Sequence, residues 1–194
     1  EHGLFEVCDP KAIRIDSPAG RITACAHQGE AGKVGSVSFL NVPSFVLEPK
    51  LEVTVEDQTV ECTIAFGGAF YAYVDAEPFE LQLVPAEAAR MIDLGRKIKE
   101  SINREGIIRH PTGEPDMNFL YGTIFVRAWQ NPRHSRNACV FAQAELDRSP
   151  TVTGVSGRAA NHYARGDIGL HEELVIESIN GREFRVNCVE ETQV

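Results

Sequence analysis

The sequence lacks any apolar run near the roughly 20 residues that a membrane-spanning helix needs, and its N-terminus carries none of the charged, apolar and small-residue regions of a secretory signal. It has no CxxC pair. Its five cysteines, Cys8, Cys25, Cys62, Cys139 and Cys188, are scattered, odd in number and at no metal-ligand spacing with histidine, which excludes a disulfide framework and a zinc ribbon. No run of Lys or Arg interrupts a formal net charge of -9, so the basic stripe that would displace counterions from nucleic acid is missing. Repeats and low-complexity tracts are absent too. Together these absences predict a soluble, cytoplasmic protein in a reducing compartment, with no nucleic-acid or membrane partner, no metal and no cofactor.

What is present is a globular composition. With 194 residues, 43% of them hydrophobic and 24% charged, the chain can bury one sizeable core. Glu1-His2-Gly3-Leu4-Phe5 reads as the tail of an element begun earlier, so the chain is expected to be a fragment. Extended runs at 12–16, 21–26, 34–40, 51–55 and 60–65 mix β-branched and polar residues at a period near two, punctuated by turns such as Ser17-Pro18-Ala19-Gly20. These predict antiparallel sheet. Gly67-Gly68 interrupts the next stretch, as a bulge or a close approach of backbone, with the bulge preferred.

Ala88, Ile92, Ile98 and Ile102 recur at helical spacing between Pro85 and Glu105, with Gly106 as a stop. Further strands are expected at 119–129 and 138–146, then a turn at 147–151 and a helix at 152–165 ended by Gly166. The last strands flank Asn180-Gly181, a hairpin signal. The fold class read from this pattern is α+β, strand-rich, with two helices.

An acidic residue, a proline and a hydroxyl cluster at the strand-to-helix junction. The N–H groups of Val152 and Thr153, at the positive end of the helix, offer a carboxylate site, and Asp147 can hold a cation a few residues away. Those are the two ends of an amino acid. Taken alone, Ser149-Pro150-Thr151 reads more readily as an ordinary capped helix start. His110, His134, His162 and His171 lie at no ligand spacing, Asn161 and Trp129 read as structural, and Cys139 as a buried thiol.

Asp147-Arg148-Ser149-Pro150-Thr151-Val152-Thr153-Gly154, preceded by 136–142, resembles the second active-site motif of the proline racemase family, commonly DRSPCGTG. The segments 15–20, 41–46, 64–71, 121–125 and 177–181 are similar to that family as well, in its order. The resemblance implies a diaminopimelate epimerase-like lobe, a barrel-like antiparallel layer around a central helix. Residues 1–194 would form one lobe of two, with 1–11 as inter-lobe linker and 190–194 starting the return to the missing lobe. The family's first catalytic cysteine, in an MCGHG motif, has no counterpart.

Thr151 stands where racemases carry a second catalytic cysteine, and an alkyl hydroxyl does not ionise near neutrality as a thiol can. Threonine there resembles the trans-3-hydroxy-L-proline dehydratases, which imply an imino acid substrate and no cofactor. Thr151 would orient or protonate the leaving hydroxyl, Asp147 bind the ring nitrogen, the Val152 and Thr153 amides the carboxylate, and Phe141 pack on the ring. Val152 replaces the motif's usual glycine, narrowing the pocket and excluding a positive φ. A proline racemase or hydroxyproline epimerase, and a non-catalytic binding module, are the alternatives. The resemblance leaves a homodimer open.

Overall fold

The computed structural model describes residues 12–30, 33–128 and 133–193. Trp129 and the expected linker 1–11 lie outside the described residues. Two compact units divide the chain, Glu1–Val42 and Pro43–Val194.

In the first unit β1 (Ile13–Ser17), β2 (Gly20–Gln28) and β3 (Val34–Leu40) form an antiparallel sheet in that order. Register makes it two-faced, because side chains alternate with period two. Ile13 opposes Ala24, Ile15 opposes Ile22, Ala24 opposes Phe39 and Ala26 opposes Val37, so one face is apolar. The other carries Arg14, Asp16, Arg21, Thr23, His27 and Ser38, with Arg21 Nε 2.7 Å from Asp16. No residue within these strands is buried.

The second unit holds the core. Its strands are β4 (Phe45–Val55), β5 (Gln58–Phe66), β6 (Phe70–Asp75), β7 (Leu120–Ala128), β8 (His134–Phe141), β9 (Glu145–Leu146), β10 (Leu174–Glu177) and β11 (Glu183–Val186). They pair in the order β11-β10-β8-β7-β6-β5-β4, with β9 on β8. The antiparallel pairing expected from the sequence holds for β4 with β5, β5 with β6, β7 with β8 and β10 with β11, and the sheet adds two parallel steps: β6 runs parallel to β7, and β8 parallel to β10. Each parallel step spans a crossover that contains a helix, α1 (Ala88–Glu105) or α2 (Val152–Ala164), as parallel pairing requires.

Helix α1 buries Met91, Gly95, Ile98 and Ile102 and ends at Gly106, φ 61°. Ala88 and Ile92, expected on the core face, are only half-buried. The stripe turns toward Gly95, where an added Cβ would stand 2.8 Å from Val140 Cβ; the missing side chain lets α1 settle onto β8. Helix α2 buries Gly154, Val155, Gly157, Arg158, Ala159 and Asn161, which at 100° per residue cover more than half its circumference. It is the central helix of this unit. No described helix is long and apolar enough to cross a membrane.

Gly67-Gly68 is not a bulge. Phe66 pairs with Phe70 across a tight hairpin joining β5 to β6, and the hairpin lies against α2. A Cβ on Gly67 would overlap the Thr153 carbonyl and stand 2.5 Å from Gly157 N. The glycine is there for close approach.

Candidate active site

The site is built where β8 and β9 hand the chain to α2. Asp147 N–H donates to Cys139 O at 2.9 Å, tying the turn to the buried strand. The Asp147 carboxylate then folds over the turn. Its Oδ1 accepts from Ser149 N–H at 2.8 Å and its Oδ2 from the Thr151 hydroxyl at 2.8 Å. Thr151 N–H donates to Ser149 Oγ at 3.1 Å. Among the described residues no Lys or Arg pairs with Asp147, so its charge is answered only by hydrogen bonds and half its lone-pair directions are open.

Thr151 is the residue preceding α2, at φ 70° and ψ 106°, and its side chain does not cap the helix. The capped start expected at Ser149-Pro150-Thr151 is therefore not made by the Thr151 side chain, because the hydroxyl has turned back to Asp147. The first intrahelical bond runs from Val155 N–H to Thr151 O at 2.8 Å. The amides of Val152, Thr153 and Gly154 precede it and receive no side-chain cap, leaving them at the positive end of the dipole for an anion.

Val152 is helical, so the glycine usual in the motif is not needed for a positive φ at 152; that conformation falls on Thr151 instead. The Val152 side chain is 37% exposed, standing on the outer rim beside the free amides.

Residues remote in sequence fix this helix end. The Tyr73 hydroxyl donates to Gly154 O at 2.7 Å, and Tyr71 and Thr153 share a hydroxyl–hydroxyl bond of 2.8 Å. Burial drives both phenols well above the ordinary tyrosine range, so they stay neutral. Arg158 Nη1 donates to Asn137 Oδ1, and Asn137 Nδ2 reaches Pro150 O at 3.5 Å, linking the middle of α2 to the turn before it. Sequence reasoning missed Tyr71, Tyr73, Asn137 and Arg158, although Tyr71 and Asn137 lie within segments 64–71 and 136–142 that carry the family resemblance.

Cys139 sits 1% exposed behind Thr151. Burial pushes its thiol up to about 12, against a smaller opposite pull from the Thr151 hydroxyl, so it is not a base at neutral pH. Phe141, at the end of β8, is half-buried with its ring centroid 5.7 Å from Tyr121, which in turn lies 5.9 Å from Tyr71. An aromatic path thus runs from Phe141 to the Thr153 hydroxyl. An open groove of about 920 Å³ adjoins the turn, lined by Asp147, Arg148, Ser149 and Pro150 on one side and the β10–β11 loop, Asn180 to Arg182, on the other.

The histidines expected at no ligand spacing include one that the fold brings to acids: His134, Glu177 and Glu183 place ligand atoms within 4.8 Å of one another. Arg136 Nη2 holds Glu177 at 2.7 Å, so one of the two carboxylates is already engaged in an ion pair.

The family model described as proline racemase matches residues 1–194. A trans-3-hydroxy-L-proline dehydratase from Colwellia psychrerythraea is 46% identical over 94% of this chain and 51% of its own length. A 3-hydroxyproline 2-epimerase from Burkholderia multivorans is 41% identical over 94% of this chain and 54% of its own. The crystal structure of a probable proline racemase from Agrobacterium radiobacter, with bound carbonate, superposes with a TM-score of 0.90 at 30% identity, over 99% of this chain and 56% of that one. The chain spans about half the length of the curated relatives it matches. Its α+β unit wrapped on α2 is the fold of that solved relative, and with the profile match over all 194 residues it follows that the chain belongs to the proline racemase family.

Proposed function

We propose that the intact protein is a lyase that dehydrates trans-3-hydroxy-L-proline, with this chain supplying substrate capture. The uncapped amides of Val152 and Thr153 take the carboxylate and Asp147 takes the ring ammonium. A base from outside this chain removes the Cα proton, the electron pair forms the Cα–C3 double bond, and the 3-hydroxyl leaves as water after gaining a proton. Thr151 orients that hydroxyl, and Phe141 packs on the ring. The product is an unsaturated cyclic imino acid. No cofactor is needed, because the carbanion is discharged by the departing group rather than stored.

The single observation that carries this reading is the Thr151 hydroxyl held 2.8 Å from Asp147 at an uncapped helix start. A racemase needs an ionisable group on each face of Cα. At this face Thr151 is no such group, and Cys139 is sealed with a thiol pushed up to about 12. The dehydratase relative at 46% identity supports the same choice.

The test is full-length protein with trans-3-hydroxy-L-proline, followed by mass spectrometry for loss of one water. Product is expected with wild type and with Thr151→Ser, and most turnover is lost with Thr151→Ala. The epimerase relative at 41% identity keeps a second reading open: wash-in of solvent deuterium at Cα with inversion and no dehydration would establish it instead. An intact protein that neither turns over nor binds proline analogues would be a non-catalytic module.

A further inference from the structure

The middle of α2 carries a charge that the site above uses only through one hydrogen bond to Asn137. Arg158 is 4% exposed and lies two turns beyond Thr151, about 10 Å along the helix axis. Its Nη1 donates to Asn137 Oδ1 and its Nε to His162 Nε2 at 3.3 Å. No carboxylate contacts it, and Nη2 has no hydrogen-bond partner among the described residues. A guanidinium offers five N–H donors, so more than half are unspent. Burying such a cation without a counter-charge is costly, and its pKa is accordingly lowered to about 10 by burial.

The same charge dictates the state of its neighbour. His162 must accept from Arg158 at Nε2, so its proton sits on Nδ1, which meets Asp167 Oδ2 at 2.9 Å. One turn on from Arg158, Asn161 is 8% exposed and its side-chain amide makes no hydrogen bond among the described residues. Neither the Arg158 nor the Asn161 side chain is sealed: both line one cavity of about 750 Å³, together with His162 and Arg165. The acids on its wall are engaged elsewhere. Glu61 pairs with Lys50 at 2.9 Å, Asp167 with Arg165 and His162, and Asp75 accepts from Glu77 N–H.

We propose that this cavity is a binding site for a small oxyanion, a phosphate or carboxylate, held by Arg158 Nη2 and the Asn161 amide. An oxyanion supplies acceptors in the fork geometry that guanidinium matches, and it offsets the buried charge that the protein leaves unanswered. The site is separate from the helix start at Thr151 and does not depend on the reaction assigned there.

Calorimetric titration of the full-length protein with inorganic phosphate, and separately with acetate, tests it. One saturable equivalent is expected for at least one of the two, and the stronger arm identifies the headgroup chemistry. Arg158→Met, similar in volume, is expected to weaken binding at least roughly tenfold, and Asn161→Ala by several-fold, in line with loss of hydrogen bonds to a charged ligand. Asn161→Ala keeps the experiment decisive if Arg158→Met fails to fold. No saturable binding of either anion, or binding indifferent to Asn161→Ala, overturns the proposal.

Discussion

At position 151 a β-branched residue holds φ 70° and ψ 106°, a conformation that costs of order 1–3 kcal/mol and persists only where surroundings over-determine it. They do: Asp147 takes the hydroxyl, Ser149 takes the amide and Cys139 closes the space behind. Thr151→Ala keeps the strain and loses the bond to a carboxylate, so it should lower stability by about 1–2 kcal/mol in urea melts, whereas Thr151→Ser should fall well short of that. His162 gives a pH prediction. Its pKa is lowered from 6.5, first by burial and then by Arg158, against the pull of Asp167. The unfolded chain therefore binds the proton more readily, and the stabilising contribution, present above pH 6.5, is lost as pH falls through the folded value. Thermal melts from pH 7.5 to 5 should show wild type losing stability more steeply than His162→Gln. The residues of the candidate site could be singled out in the sequence, because the turn is local and Asp147, Ser149 and Thr151 lie within five positions. What the hydroxyl does was not legible: whether Thr151 caps its own helix or turns back is decided by φ and by Cys139, a strand away.

Elements were legible where their pattern is local. The hairpin at Asn180-Gly181 and both helices follow from turn chemistry and period. Strand direction did not, since period two is the same in parallel and antiparallel pairs, and only the helix between β6 and β7 or β8 and β10 decides it. The paired glycines failed for a related reason: their partner, the first turns of α2, lies about 90 positions on. Gly67→Ala should push the hairpin off α2, costing about 1–3 kcal/mol by denaturant titration and disturbing the Tyr71–Thr153 and Tyr73–Gly154 bonds that aim the helix start. Gly106→Ala, where an added Cβ meets nothing, should cost only about 1 kcal/mol through its φ of 61°.

At the scale of the molecule the two units differ in what holds them. The sheet of β4 to β11 encloses Ile64, Ala65, Tyr71, Ala72, Ile124 and Phe125 at 1% exposure or less, while Ile15, Val37 and Phe39 of the first sheet are 49%, 61% and 38% exposed. Opening free energy tracks buried apolar contact, so hydrogen exchange in this chain should be fast across β1–β3 and slow across β5–β8; equal protection would contradict it. The sealed position of Cys139 has a practical consequence. Cys62 is likewise driven up to about 12 by burial, whereas Cys25 and Cys188 are only half-covered. A maleimide or iodoacetamide at neutral pH should thus modify Cys25, and Cys188 more slowly because burial raises its thiol, while leaving Cys139 in the strand beneath Thr151 untouched, so a reporter dye can be attached without altering the packing behind that turn.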